Sequence, residues 1–280
     1  MTSFGADDIA YDAPRPTRGL AHQLRILRVV VQVEFKLKYA DSALGYVWSL
    51  VKPLSYFAVL WVVFGRFFKL GAVRDYPLYL LIGIVVYTFF VDAISIALPS
   101  IVARGDILRR LSFPRLVIPV SATLTAAITF LVNACAVAIF VAVTRADPRL
   151  EWLLVITLLL ELYLFILGVA LILSALFVRF RDVGQVWELA ATLLFYATPV
   201  MYPVEFLPRW AMPVVFLNPL VQTMQDLRVV LIGANQPFET IASVYGTPAA
   251  RLLPIGIALA SFFFGLWFFN RESPRFAERI

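Results

Sequence analysis

The chain has 280 residues, 61% of them hydrophobic and 15% charged. A soluble domain averages roughly 45–50% apolar and about 25% charged residues, so this composition leaves no room for a sizeable soluble domain. The net charge of +6 is spread along the chain as a membrane-orientation signal and a match for anionic membrane lipids, and no nucleic-acid partner is expected.

Residues 1–20 carry Asp7, Asp8, Asp12, Pro14 and Pro16 and lack the apolar centre of a signal peptide. They read as a disordered cytosolic tail. Residues 21–45 are amphipathic. Leu24, Leu27, Val31 and Phe35 follow helical spacing, while Arg25, Arg28, Gln32, Lys36 and Lys38 fall on other faces. This predicts a helix lying in the membrane interface with its basic side towards the head groups.

Six apolar runs follow, at about 46–68, 77–98, 116–143, 152–178, 184–201 and 252–270. Each approaches or exceeds the ~18 residues that cross a bilayer, which predicts an all-α integral membrane protein with six transmembrane helices. Lys52 is placed to snorkel towards the interface, and Pro53 to kink the first span. Asp92 and Glu161 are the two obvious ionisable residues inside spans. Interhelical hydrogen bonding or pairing at a subunit interface fits them better than coupling to an ion gradient, because no broken-helix repeat surrounds either. Cys135 lies in an apolar run as a packing residue, and His22 is assigned no role.

Between the second and third runs stands A-R-G-D-I-L-R-R-L-S-F-P-R, Ala103 to Arg115. Ile107, Leu108 and Leu111 make an apolar helical stripe, with Arg104, Asp106, Arg109 and Arg110 around it, and Pro114 ends the helix. Composition alone reads this as a positive-inside loop. Its amphipathicity also fits a short cytosolic helix, about 103–114, that receives force from a partner protein. Residues 202–250 differ from the rest, with six prolines and two semi-apolar pieces near 204–216 and 220–232 that are too short or too interrupted to span. They read as re-entrant or interfacial helices. Residues 271–280 form a polar tail. Six spans put both termini on one side, and the excess of Lys and Arg on that side makes it the cytosol.

The chain has no G-x-x-x-x-G-K-[ST], H-E-x-x-H, C-x-x-C or G-x-S-x-G motif. No catalytic residues, metal ligands or cofactor of its own are therefore expected, and directed transport would draw its energy from a gradient or a partner. Aromatic residues make up 15% of the chain. Tyr56, Trp61, Tyr196 and Tyr202 are either interfacial anchors or pore-lining rings able to stack on the C–H faces of sugars.

The stretch F-K-L-K-Y-A-D-S-A-L-G-Y-V-W-S-L-V-K-P-L, 35–54, resembles a motif of ABC-2 type permeases of polysaccharide exporters, through Lys38, Tyr39, Ser42, Leu44, Gly45, Trp48 and Pro53. L-R-R-L-S-F-P-R, R-F-R-D (179–182), T-P-V-M-Y-P (198–203) and N-P-L (218–220) followed by Arg228 are similar to further landmarks of that family, in the same order. The resemblance runs from about residue 25 to 270. It implies a Wzm-like permease, in which two copies form a channel for a lipid-linked polysaccharide. That glycan would be an O-antigen, a capsular chain or a cell-wall galactan. A separate ATP-binding subunit of the Wzt type would hold ATP and Mg.

The resemblance makes 103–114 the coupling helix, with Arg104, Asp106, Ile107, Leu108, Arg109, Arg110 and Leu111 at the ATPase contact. Arg25, Arg28, Lys36, Lys38 and Lys52 would attract the lipid pyrophosphate, Tyr56, Trp61, Tyr196 and Tyr202 would line the glycan channel, and the helices of about 204–232 would form an outer gate. The alternatives keep the fold and change the cargo to teichoic acid or a small hydrophobic compound, or make the chain a membrane glycosyl or polyprenyl-phosphate transferase. The last would need an acidic cluster at the interface, for which Asp7 and Asp8 are poor candidates.

Overall fold

The computed structural model describes residues 20–40, 47–69, 75–105, 114–143, 149–233 and 238–276, and within these every regular element is a helix. An amphipathic helix α1 (Leu20–Ala40) comes first. Helix α2 (Val47–Leu60) continues as a π-helical stretch, Trp61–Phe67. Then come α3 (Tyr76–Ala97), the short α4 (Ser100–Ala103), α5 (Val117–Val143), α6 (Leu154–Arg179) and α7 (Val183–Ala197). Two short pieces, α8 (Met212–Phe216) and α9 (Pro219–Ile232), precede α10 (Ile241–Tyr245) and the last helix, α11 (Leu252–Glu272).

Among the described residues, five helical segments are long and apolar enough to cross a membrane: Val47–Phe67, Tyr76–Ala97, Val117–Val143, Leu150–Arg179 and Pro248–Arg275. They coincide with five of the six expected runs. The run expected at 184–201 contains α7, whose 15 residues reach about 22 Å, short of the ~30 Å hydrocarbon core. Its helix ends at Ala197 because the chain turns extended at Thr198, before Pro199. A proline also disfavours helical backbone in the residue before it.

Helix α3 is the centre of the bundle. Sixteen of its 22 residues are buried, and it packs against α2, α5, α6, α7 and α9. A helix apolar all round belongs in such a position. The closest pairing joins α6 to α11. A Cβ on Gly168 would lie 2.5 Å from the backbone of Ser261, and one on Gly265 would strike the Gly168 carbonyl. Ser261 and Gly265 are four residues apart on one face, so the two backbones meet directly, as small residues allow between helices in lipid.

A second apolar cluster, with Ile101, Ile118, Leu171, Phe269 and Phe276, closes one end of the bundle. A third, Val204, Phe216, Ile241 and Ala250, joins the short helices at the other. Cys135, expected in packing, is exposed on α5 in a single copy of the chain. The tail 1–19, the break at 41–46 and residues 106–113 of the expected coupling helix lie outside the described residues.

Candidate functional site

At the α1 end, α1 packs against α5, and Val31 on it is buried. Glu34 shares its face, seven residues after Leu27 and three after Val31. Its carboxylate accepts hydrogen bonds from Ser121 Oγ at 2.9 Å and Thr125 Oγ1 at 3.1 Å, both on α5. It also pairs with Arg104, one residue past α4. One carboxylate thus fastens the amphipathic helix to the third span and to the start of the 103–114 segment. The sequence reading turned the basic side of α1 towards the head groups and passed over Glu34. The one available signal was Ser121 and Thr125, two hydroxyls one turn apart on α5, although each can also donate to a carbonyl of its own helix.

Of the residues expected to attract a pyrophosphate, Arg25, Arg28 and Lys36 are exposed on α1. The side chain of Lys38 lies outside the described residues. Lys52 is placed elsewhere. It lines a cavity of about 310 Å³ between α2, α3 and α7 with Tyr56, Tyr87, Thr88, Asp92 and Tyr196, which Arg25, Arg28 and Lys36 do not line. Lys52 Nζ stands 3.2 Å from Asp92 Oδ1, so the charge expected to pair between helices does so within one chain. A second cavity, of about 340 Å³, shares Lys52, Thr88 and Asp92 and extends to Trp48 and Thr129. Two more bonds fasten α7 to α3 beside this space: Trp187 Nε1 donates to Ser95 Oγ at 2.8 Å, and Tyr87 Oη donates to the Ala191 carbonyl.

The structure therefore brings together Lys52, Tyr56 and Tyr196 of the expected set, around an ion pair and two threonines. Both tyrosine rings are more than half exposed in a single copy of the chain. Such a surface can stack on sugar rings and hydrogen-bond their hydroxyls. Trp61 lies outside it, packed against the central core with the Arg66 guanidinium over its ring. Tyr202 also lies outside. Its hydroxyl donates to the Tyr196 carbonyl at 3.0 Å, and burial pushes the phenol up from its ordinary value. Of the expected coupling residues Arg104 alone is described; Asp106, Ile107, Leu108, Arg109, Arg110 and Leu111 lie outside the described residues.

The far end of α3 holds the turn 198–203. Arg228 on α9 is fully buried. Its Nη1 donates to the Pro199 carbonyl at 2.9 Å and Gln225 Oε1 at 2.6 Å, its Nη2 to Val200 at 2.9 Å, and its Nε to Tyr79 at 3.2 Å. The guanidinium lies 3.4 Å from the centre of the Tyr79 ring, and a Cβ at Gly83 would collide with it. Tyr76 and Tyr79 donate to the Met201 and Tyr202 carbonyls at 2.7 and 3.0 Å. Asn218 caps α9 by accepting from the Leu220 amide, with Pro219 in the first turn. The motifs T-P-V-M-Y-P and N-P-L, and Arg228 after them, are in this way parts of one clamp.

The model of the ABC-2 type transporter family matches residues 25–232 of the chain, a span that contains the Glu34 junction, the Lys52 cavity and the Arg228 clamp. The chain belongs to the ABC-2 type transporter family. The chain is similar over nearly its whole length to two proteins of Klebsiella pneumoniae, each named O-antigen export system permease protein RfbA. Both are 28% identical over 260 residues, covering 92% of this chain and 96% of theirs. A protein of the same name from Myxococcus xanthus is 26% identical over 272 residues, covering 95% of this chain and 99% of its own. With its apolar helices, this places the chain among multi-pass membrane transport subunits.

Proposed function

We propose that the chain is the permease subunit of an ATP-driven exporter. It moves a polyprenyl-linked polysaccharide, of the O-antigen, capsule or cell-wall galactan kind, from the cytosol across the inner membrane. The observation that carries this reading is the end-to-end similarity to O-antigen export permeases, which covers more than nine-tenths of both chains. Two copies form the channel, with the exposed faces of α2 and α7 and the cavity between them turned inward. The polypeptide from α7 to Met201 makes the sixth crossing, both termini are cytosolic, and α8 to α10 form the outer gate. A separate ATP-binding subunit holds ATP and Mg and pushes on 103–114. The exposed Arg25, Arg28 and Lys36, with Lys38, lower the cost of bringing a diphosphate to the membrane surface. Tyr56 and Tyr196 offer stacking faces to the glycan beyond them.

The test pairs the chain with an ATP-binding subunit encoded beside it. The two should co-purify, and inverted vesicles that contain both should take up polyprenyl-linked glycan when ATP is added. A chain that transports without the ATPase, or never binds it, would end this reading. Replacing Leu108 and Leu111 by Asp should stop uptake while the protein still inserts. Normal uptake by that variant would remove the coupling role of the segment.

A further inference from the structure

A third cavity, of about 320 Å³, lies between α6, α9 and α11, and neither α2 nor α7 lines it. Its walls are apolar, with Leu154, Leu158, Ile255 and Leu259 among them. Leu154 and Leu259 are also exposed on the outer face of their helices, so the crevice opens sideways, where a membrane protein meets lipid. Its floor is polar. Glu161, Gln222, Asp226 and Arg251 all line it.

Among the described residues, three oxygens on that floor have no hydrogen-bond donor: Glu161 Oε1, Gln222 Oε1 and Asp226 Oδ1. Gln222 is 1% exposed and Asp226 3%. The Gln222 amide is oriented by its Nε2, which donates to Asp226 Oδ2 at 2.6 Å and leaves Oε1 buried beside the cavity without a partner. Arg251 stands 3.6 Å from Asp226 Oδ1 with its side chain half exposed, beyond hydrogen-bond length. An orphaned acceptor in an apolar surrounding is costly, so three together favour a donor from outside the described residues. Two carboxylates against one guanidinium favour a cation as that donor.

We propose that this crevice binds the head group of a primary-amine phospholipid, of the phosphatidylethanolamine class. A primary ammonium has three N–H donors, one for each orphaned oxygen. The phosphate of the same head group then meets Arg251, and the acyl chains run along the leucine and isoleucine walls to the open side. A quaternary ammonium carries no N–H and leaves all three oxygens unpaired. An anionic head group brings negative charge towards two carboxylates. Because α9 also carries Arg228, the bound lipid staples the clamp helix to α6 and α11.

The full-length chain is reconstituted in nanodiscs of dioleoylphosphatidylcholine that hold a minor share of dioleoylphosphatidylethanolamine, and the lipids that stay bound after detergent extraction are read by native mass spectrometry. Phosphatidylethanolamine should be enriched about tenfold or more over its bulk share, a difference of about 1.4 kcal/mol. Its mono- and dimethylated forms should lose that enrichment stepwise. Glu161→Gln with Asp226→Asn should bring it down to the bulk ratio. Equal retention of phosphatidylcholine overturns the proposal, as does enrichment that ignores the two substitutions. A crevice filled by water or a simple cation gives no head-group preference and overturns it as well. Should the double variant fail to fold, the methylation series on the unaltered chain decides the matter alone.

Discussion

Two charged side chains join three parts of the chain each, and they do so in opposite ways. Arg228 is sealed from solvent and bound mainly by backbone carbonyls. Those partners cannot swing away without unfolding the 198–203 turn. Glu34 is partly exposed, at 15% of its side chain, and its partners are the side chains of Arg104, Ser121 and Thr125. Side-chain partners change rotamer without disturbing the backbone that bears them. The first junction is built as a fixed anchor, the second as a joint that can open and re-form. The anchor ties α9 to α3 and the 198–203 turn, and the joint stands beside the segment expected to be pushed.

The strongest way to break this contrast is at the anchor. Arg228→Leu removes four hydrogen bonds and strands the carbonyls of Pro199 and Val200, at a cost on the order of 3 kcal/mol or more. The variant should lose most of its folded yield in detergent, read by size-exclusion profile and thermal unfolding. Gly83→Val should do the same without touching a charge, because its side chain takes the space of the guanidinium. A well-folded Gly83→Val protein would show that the anchor has slack.

Next comes the joint. Glu34→Ala removes the acceptor of three donors, with an expected stability loss of about 1–3 kcal/mol. Its larger effect should fall on transport: vesicle uptake of glycan should drop well below the unaltered chain while membrane insertion stays normal. If stability falls as far as in Arg228→Leu, the distinction between anchor and joint disappears. A smaller effect is expected at the Lys52–Asp92 pair, where the lysine is 57% exposed. Solvent screening keeps such a pair below about 1 kcal/mol, so Lys52→Met should barely move the unfolding temperature, yet it should slow glycan uptake. The smallest is Tyr202→Phe. It removes one bond to the Tyr196 carbonyl, worth about 0.5–1.5 kcal/mol, and leaves the Tyr79 bond to the Tyr202 backbone intact.

Five spans were legible from hydropathy alone, with ends that fall within a few residues of the helices, because an apolar run long enough to cross a bilayer has few other folds open to it. The 184–201 run was read as equally helical, and it contains a helix that stops at Ala197. What stops it is Thr198–Pro199, together with an arginine thirty residues later in the chain that holds the turn. No local pattern shows so distant a partner. Glu34 escaped for a related reason: helical periodicity shows which residues share a face, but not that an acid on the apolar face has found hydroxyls on another helix. Lys52 illustrates a partial reading. Its place near the start of the first span was clear, whereas its company, Asp92 of the second span and Tyr196 of α7, depends on how three helices pack.

The contact of Gly168 with Ser261 and Gly265 also bears on how the protein is made. Roughly ninety residues separate the end of α6 from the end of α11. At a synthesis rate of about 5–20 residues per second, α6 waits in the bilayer for several seconds with its glycine groove filled by lipid chains. Helix α11, which leaves the ribosome later, must displace those chains to pack against α6. A nascent chain stalled before Leu252 should therefore hold α6 in a form that lipid-phase crosslinkers reach at Gly168, and that access should close once α11 is released.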